Sequence, residues 1–250
     1  MTAEDPETSA SGATPGQASV PAGLVSSVVN LVNTGPVLLG AYTLAELTAV
    51  DAIVDFLEAR PPDEVLAEAV RSLSARQLLV AGSNGHQVQV RGDLGIAVAF
   101  QQRARVVLDA RATGTEPGEP WRMLLLPQPE RIFLVVRIDA LGVHQLGLYT
   151  ADRALDDLID WLPRGDPADH RAAIDASAVL AAAERSALVT ITRYTAEGSA
   201  ETADTSKDLI IVRHGGRLHL FDRDPANSAA LVSRSLDDKD LRGTLTELLT

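Results

Sequence analysis

Cysteine is absent from the 250 residues, which removes disulfides, zinc–thiolate sites, iron–sulfur clusters and cysteine nucleophiles together. Aromatic residues contribute only 4% against 46% hydrophobic residues, so the core has to be assembled from Leu, Val, Ile and Ala. Positive charge is scarce: 34 acids against 22 bases leave a net charge of −12. Duplex nucleic acid and anionic lipid both require a dense cationic footprint, so neither is expected as a partner. Lysine occurs only at Lys207 and Lys239, and the many arginines are spread along the whole chain. That spread reads as the codon bias of a GC-rich genome; the rival reading is selection for bidentate anion binding.

Long apolar runs are missing as well. The most apolar stretch, Leu24 to Ala41, is interrupted by Ser26, Ser27, Asn30, Asn33, Thr34 and the pair Gly35-Pro36. It falls short of the roughly 18–20 uninterrupted residues of a bilayer span. Residues 2–20 hold three acids, no base and no apolar core, which is the composition of a disordered tail and not of a secretory signal. A soluble, cytoplasmic protein without a membrane span is expected. A chain of 26.5 kDa forms one large domain or two small ones and buries roughly 70–75% of its unfolded surface.

What is present begins with Thr43-Leu-Ala-Glu46, a capping box in which hydroxyl and carboxylate serve opposite ends of a first helical turn. Leu44, Leu47, Val50, Val54 and Leu57 follow as one helix face. Pro61-Pro62 stops that helix, and Asp63 is placed to cap a second with the stripe Val65, Leu66, Ala69, Val70 and Leu73. A turn at 82–85 and alternation over 86–91 complete a winged-helix outline. Its second helix, however, sets Arg71 and Arg76 against Glu64 and Glu68, little cation for DNA recognition.

Beyond residue 93 the pattern occurs twice. A helix near 93–104 leads to a strand at 105–111, a long Gly/Pro-rich loop at 112–130, strands at 131–137 and 143–149, and a helix over 151–162 capped by Thr150. The second copy places a helix near 168–185, strands at 187–193, 208–213 and 217–221 around a polar loop at 194–207, and a closing helix marked by Leu241, Leu245, Leu248 and Leu249. Arg111 and Arg193 end the first strands, and Arg137 and Arg213 the second. The expected fold is therefore α+β, a pseudo-twofold repeat of helix, three-stranded antiparallel meander and helix around a central sheet. Residues 1–21 form a tail, 22–42 an apolar segment, 43–164 the N-terminal half and 165–250 the C-terminal half of one continuous body. Chance similarity of two α+β units is the competing reading.

The search for chemistry returns mostly absences. There is no phosphate-binding loop, no complete dinucleotide fingerprint and no nucleophile elbow, so no cofactor and no catalysis are expected. His144 and His219 occupy similar points in the two third strands, a metal pair if they meet and ordinary strand histidines otherwise. Asp152, Asp156 and Asp160 share a helix face, either a cation site or a solvated surface. Asp237, Asp238 and Asp240 read as charge bias at a helix start. The 112–130 loop carries Trp121, Met123 and Leu125, which serve as partner anchors if exposed and extend a strand or cover the core if buried.

The stretch Ala67 to Val80 (AEAVRSLSARQLLV), the two meanders and the closing helices at 151–162 and 240–250 together resemble the EspG family over roughly 43–250. Those proteins are cytosolic chaperones of actinobacterial type VII (ESX) secretion. The resemblance implies a non-catalytic protein that shields the aggregation-prone helical tip of a PE–PPE-type heterodimer until export. It brings Trp121, Met123 and Leu125 forward as partner contacts. The alternative is a winged-helix regulator whose α+β part binds a small effector.

Overall fold

The computed structural model describes residues 21–52, 60–82, 88–168, 175–197, 200–223, 230–234 and 241–249. Val54, Leu57, His86, His170, residues 83–85 of the expected turn, the acidic group at 237–240 and residues 1–20 of the tail lie outside these residues. The chain is α+β: seven helices surround a large, mostly antiparallel sheet among the described residues.

The N-terminal elements are helix α1 (Ala22–Val32), strand β1 (Val37–Thr43), helices α2 (Leu44–Ala49) and α3 (Asp63–Ala75), the hairpin β2 (Leu79–Ala81) and β3 (Val88–Val90), and helix α4 (Gly92–Arg103). Then come β4 (Val106–Thr113), β5 (Arg122–Pro127), β6 (Ile132–Ile138), β7 (Val143–Thr150) and helix α5 (Ala151–Trp161). The remainder is the two-residue β8 (Asp166–Pro167), helix α6 (Ala176–Ala181), strands β9 (Arg185–Glu197), β10 (Ala200–His214), β11 (Arg217–Arg223) and β12 (Leu231–Arg234), and helix α7 (Leu241–Leu249). The main sheet runs β1-β7-β6-β5-β4-β9-β10-β11-β12, with β8 pairing β11 in parallel.

The capping box forms as the sequence dictates. Thr43 Oγ1 accepts from the Glu46 amide at 3.2 Å, and Glu46 Oε2 accepts from the Thr43 amide at 3.0 Å. Glu46 also accepts from Ser72 Oγ at 2.8 Å and Arg76 Nη1 at 2.9 Å, so the same carboxylate ties α2 to α3. Pro62, not Asp63, is the N-cap of α3, and no side chain caps it. Proline at this point offers a φ suited to helix entry. Of the α3 stripe, Ala69 and Leu73 are buried, whereas Val65 and Val70 are exposed.

Two expectations about loops are corrected. The stretch 112–130 is not one long loop, because residues 122–127 form β5, hydrogen-bonded between β4 and β6. The polar stretch 194–207 continues the β9–β10 ladder, with Ala200 opposite Glu197. Each meander therefore has four strands, β4–β7 and β9–β12, not three. Residues 22–42, expected as an apolar segment, supply α1 and an edge strand that pairs β7.

Strand alternation sorts the side chains onto two faces. On one, Leu124, Leu126, Leu134, Val136 and Leu148 form a core with Val28, Leu47, Leu73, Leu94 and Phe100 from α1–α4. On the other, Leu108, Ala110, Met123, Leu125, Val135, Val189, Ile191, Leu209 and Ile211 pack under Leu155 and Leu158 of α5 and Leu245 of α7. Leu125 is fully buried and Leu141 is 88% exposed. Leu125→Ala is expected to lose about 2–5 kcal/mol in urea unfolding through the cavity it leaves. Leu141→Ala stays within about 0.5 kcal/mol of the parent protein.

Candidate functional site: the central strip of the sheet

The first face of the sheet is not covered evenly. Its helices α1–α4 build a core over β1, β7, β6 and β5, while α6 packs over β10 and β12 with Val212 and Phe221. Between them lie β4 and β9. Leu108, Ala110 and Ala112 of β4 and Ala187, Val189 and Ile191 of β9 point to the opposite, buried face. Asp109, Arg111, Leu188, Thr190 and Thr192 point to the first face and are only half-buried. At one end of the strip Val107 of β4 is buried in the α1–α4 core and Tyr194 of β9 packs against that core, so the half-buried stretch runs from Asp109 and Arg111 to Leu188, Thr190 and Thr192. From β5 to β10 is three strand steps, roughly 14 Å at about 4.8 Å each. That is the room one α-helix needs, about 10–12 Å with side chains.

The floor of this strip is an ordered polar lattice. Arg122, only 3% exposed, stands opposite Arg111 across the β4–β5 ladder. Its Nε and Nη2 donate to Asp109 Oδ1 at 2.9 Å and Oδ2 at 2.8 Å, a fork that fits the carboxylate plane. Arg111 Nη2 donates to the same Oδ2 at 3.0 Å. One strand further on, Thr190 Oγ1 donates to Asp208 Oδ1 at 2.8 Å, and Arg223 Nε meets Asp208 Oδ2 at 3.0 Å. Leu188 and the threonine methyls supply the apolar part of the floor. Trp121 and Tyr194 pack as partly buried aromatics against the neighbouring core.

The three residues singled out in the sequence do not share a surface. Met123 (1% exposed) and Leu125 (fully buried) sit in the core under α5, as a central strand between two neighbours requires. Only Trp121 keeps an accessible surface, held where its amide donates to the Ile138 carbonyl and its carbonyl accepts from the Ala112 amide. Of the residues that line the strip, Arg111 was marked only as a strand end, and Asp109, Arg122, Thr190 and Thr192 escaped the sequence reading. Their signal is present in the period of two: polar 109 and 111 alternate with apolar 108, 110 and 112, and Thr190 and Thr192 alternate with Val189 and Ile191.

His144 and His219 do not meet. They stand on β7 and β11, six strand steps apart, roughly 29 Å at about 4.8 Å per step. The row Asp152, Asp156 and Asp160 already has its cations. Arg242 of α7 binds both Asp152, at 2.9 Å, and Asp156, and Arg164 binds Asp160. Among the described residues no group of three or more His, Asp and Glu is placed to hold a metal. On α3, Arg71 is paired with Glu68 and Arg76 with Glu46.

Asp109→Asn removes the carboxylate that the buried Arg122 fork grips and is expected to cost about 3–5 kcal/mol in chemical denaturation. The apolar double replacement Asp109→Leu/Arg122→Met recovers most of that loss. Recovery failing would show that the pair does more for the fold than match its own charge. In comparisons with known proteins, no family model and no curated protein matches this chain.

Proposed function

We propose that the protein is a non-catalytic, protein-binding chaperone of the EspG type, acting in the cytoplasm on a helical type VII secretion substrate of the PE–PPE kind. The half-buried, ion-paired strip on β4 and β9, where Asp109 and Arg111 stand beside Leu188, Thr190 and Thr192, carries this reading. Exposed sheet surface between flanking helices is a receptor for a further helix, because it offers apolar contact along a line and polar partners on both sides. Leu188 and the ring of Trp121 receive the apolar side of the partner's tip, and the ion-paired rows at Asp109 and Asp208 satisfy its polar flanks. Masking of this kind keeps an aggregation-prone apolar tip out of water until release.

The order of elements supports the same reading. On either side of the β4–β9 pair the chain gives a helix, four meandering strands and a helix: α4, β4–β7, α5, then α6, β9–β12, α7. We read this as a duplicated unit about a pseudo-twofold axis between β4 and β9, the arrangement that the resemblance to the EspG family implies.

A photo-crosslinking residue at Thr192 in the full chain, irradiated in lysate of the native host, is expected to capture a PE–PPE-type substrate, and the same residue at Leu141 is not. Filling the strip with Thr190→Trp should weaken capture about tenfold or more, as expected for blocking the centre of an interface. Equal labelling from both positions, or capture without any helical secretion substrate, overturns the proposal.

A further inference from the structure

Strand β1 hangs at the margin of the sheet. Among the described residues it pairs only with β7, and it carries α1 through the turn at 33–36. His144 of β7 stands opposite Tyr42 of β1 in that ladder and is 3% exposed. Its Nδ1 lies 2.9 Å from the Gly142 carbonyl, which places the ring proton there. Nε2 is shielded from solvent and makes no hydrogen bond, with the Tyr42 backbone acting on the ring from the facing strand. Two strands away across Ile138 lies the buried Arg122, whose counter-ion Asp109 is already shared with Arg111. Tyr42 separates the imidazole from Arg76, which stacks 5.2 Å over the phenol ring, and from Glu46 and Asp93, which act on that same ring.

We propose that His144 makes the α1–β1 margin an acid-sensitive latch, in which protonation is accommodated by detaching β1 and α1 from β7 while the inner strands stay paired. A proton on this ring adds a cation to a dry site that already holds Arg122, and Asp139 in the β6–β7 turn is the carboxylate that acts on it. Burial pushes the imidazole below its ordinary range and Arg122 adds to this; the backbone of Gly142 and Tyr42 and the Asp139 carboxylate oppose it without reversing it. The opened form therefore takes up the proton more readily than the closed form, and acid favours opening. Opening is at the edge: exposing His144 breaks the β1–β7 ladder and the contacts of β1 with α2 and α4, whereas the β6–β7 ladder on its other side lies inside the sheet.

Hydrogen exchange of the full chain, read as protection factors corrected for intrinsic rates, tests this. Between about pH 6.5 and about pH 5.5 protection over Val37–Thr43 should fall by up to tenfold, the slope of one linked proton, while Leu134–Val136 holds its value. His144→Gln and, independently, His144→Phe should remove the slope from β1. A slope that persists in both variants overturns the latch, and so does loss of protection in β1 and β6 together.

Discussion

The antiparallel pairing of β4 with β9 is the constraint on which the remaining architecture rests. Its register runs from Val106 opposite Arg193 to Thr113 opposite Ser186. This single ladder joins two meanders into one sheet and forces their buried faces into one core. Leu108 and Ala110 from one side and Val189 and Ile191 from the other lie under the same helices, and each such large apolar side chain contributes about 1.5–3 kcal/mol on burial. The contact is carried outward by Arg242 of α7, which grips Asp152 and Asp156 of α5. On the second face the two halves share one core.

Along that same seam the first face is half-buried and polar at Asp109, Arg111, Thr190 and Thr192. Helix α4 packs on β1 and β6 and helix α6 on β10 and β12, so the half-buried floor between them has to be tolerable to water and still ordered. The solution is ionic. Arg122 is almost fully buried, which is costly unless the charge is matched, and the fork to Asp109 matches it while fixing the direction of both side chains. Arg111, Thr190, Asp208 and Arg223 extend the pattern outward. A surface of this kind stays soluble when empty and presents oriented donors and acceptors when occupied.

How much of this was legible in the sequence depended on how each segment buries itself. The capping box at Thr43 and the amphipathic α5 were legible because caps and one-sided burial leave a periodic mark, and the strands at 132–138 and 143–150 because β-branched and apolar runs are bounded by Arg131 and the turn at 139–142. β5 was not. Its run Met123-Leu-Leu-Leu126 is buried on both faces, so it carries no alternation, and its flanking prolines read as loop punctuation. β1 was hidden for a related reason: the bulge between Leu38 and Gly40 breaks its alternation at the sheet edge. The β9–β10 extension is polar and has only the backbone ladder to declare it. The assignment of Trp121, Met123 and Leu125 to one surface failed at the same point, since a buried central strand separates the last two from solvent. The alternation in β4 and β9 that marks the half-buried strip was available throughout.

The most direct test of the account is the cooperativity of unfolding across the seam. Hydrogen exchange followed through a urea series compares amides of β6 (Ile132–Ile138) with those of β10 and β11 (Leu209–Phe221) in the full chain. A sheet and core continuous through β4 and β9 predict one midpoint and one slope for both groups. Separate transitions, with the second meander losing protection while the first keeps it, would contradict the shared core and with it the strip that the seam creates.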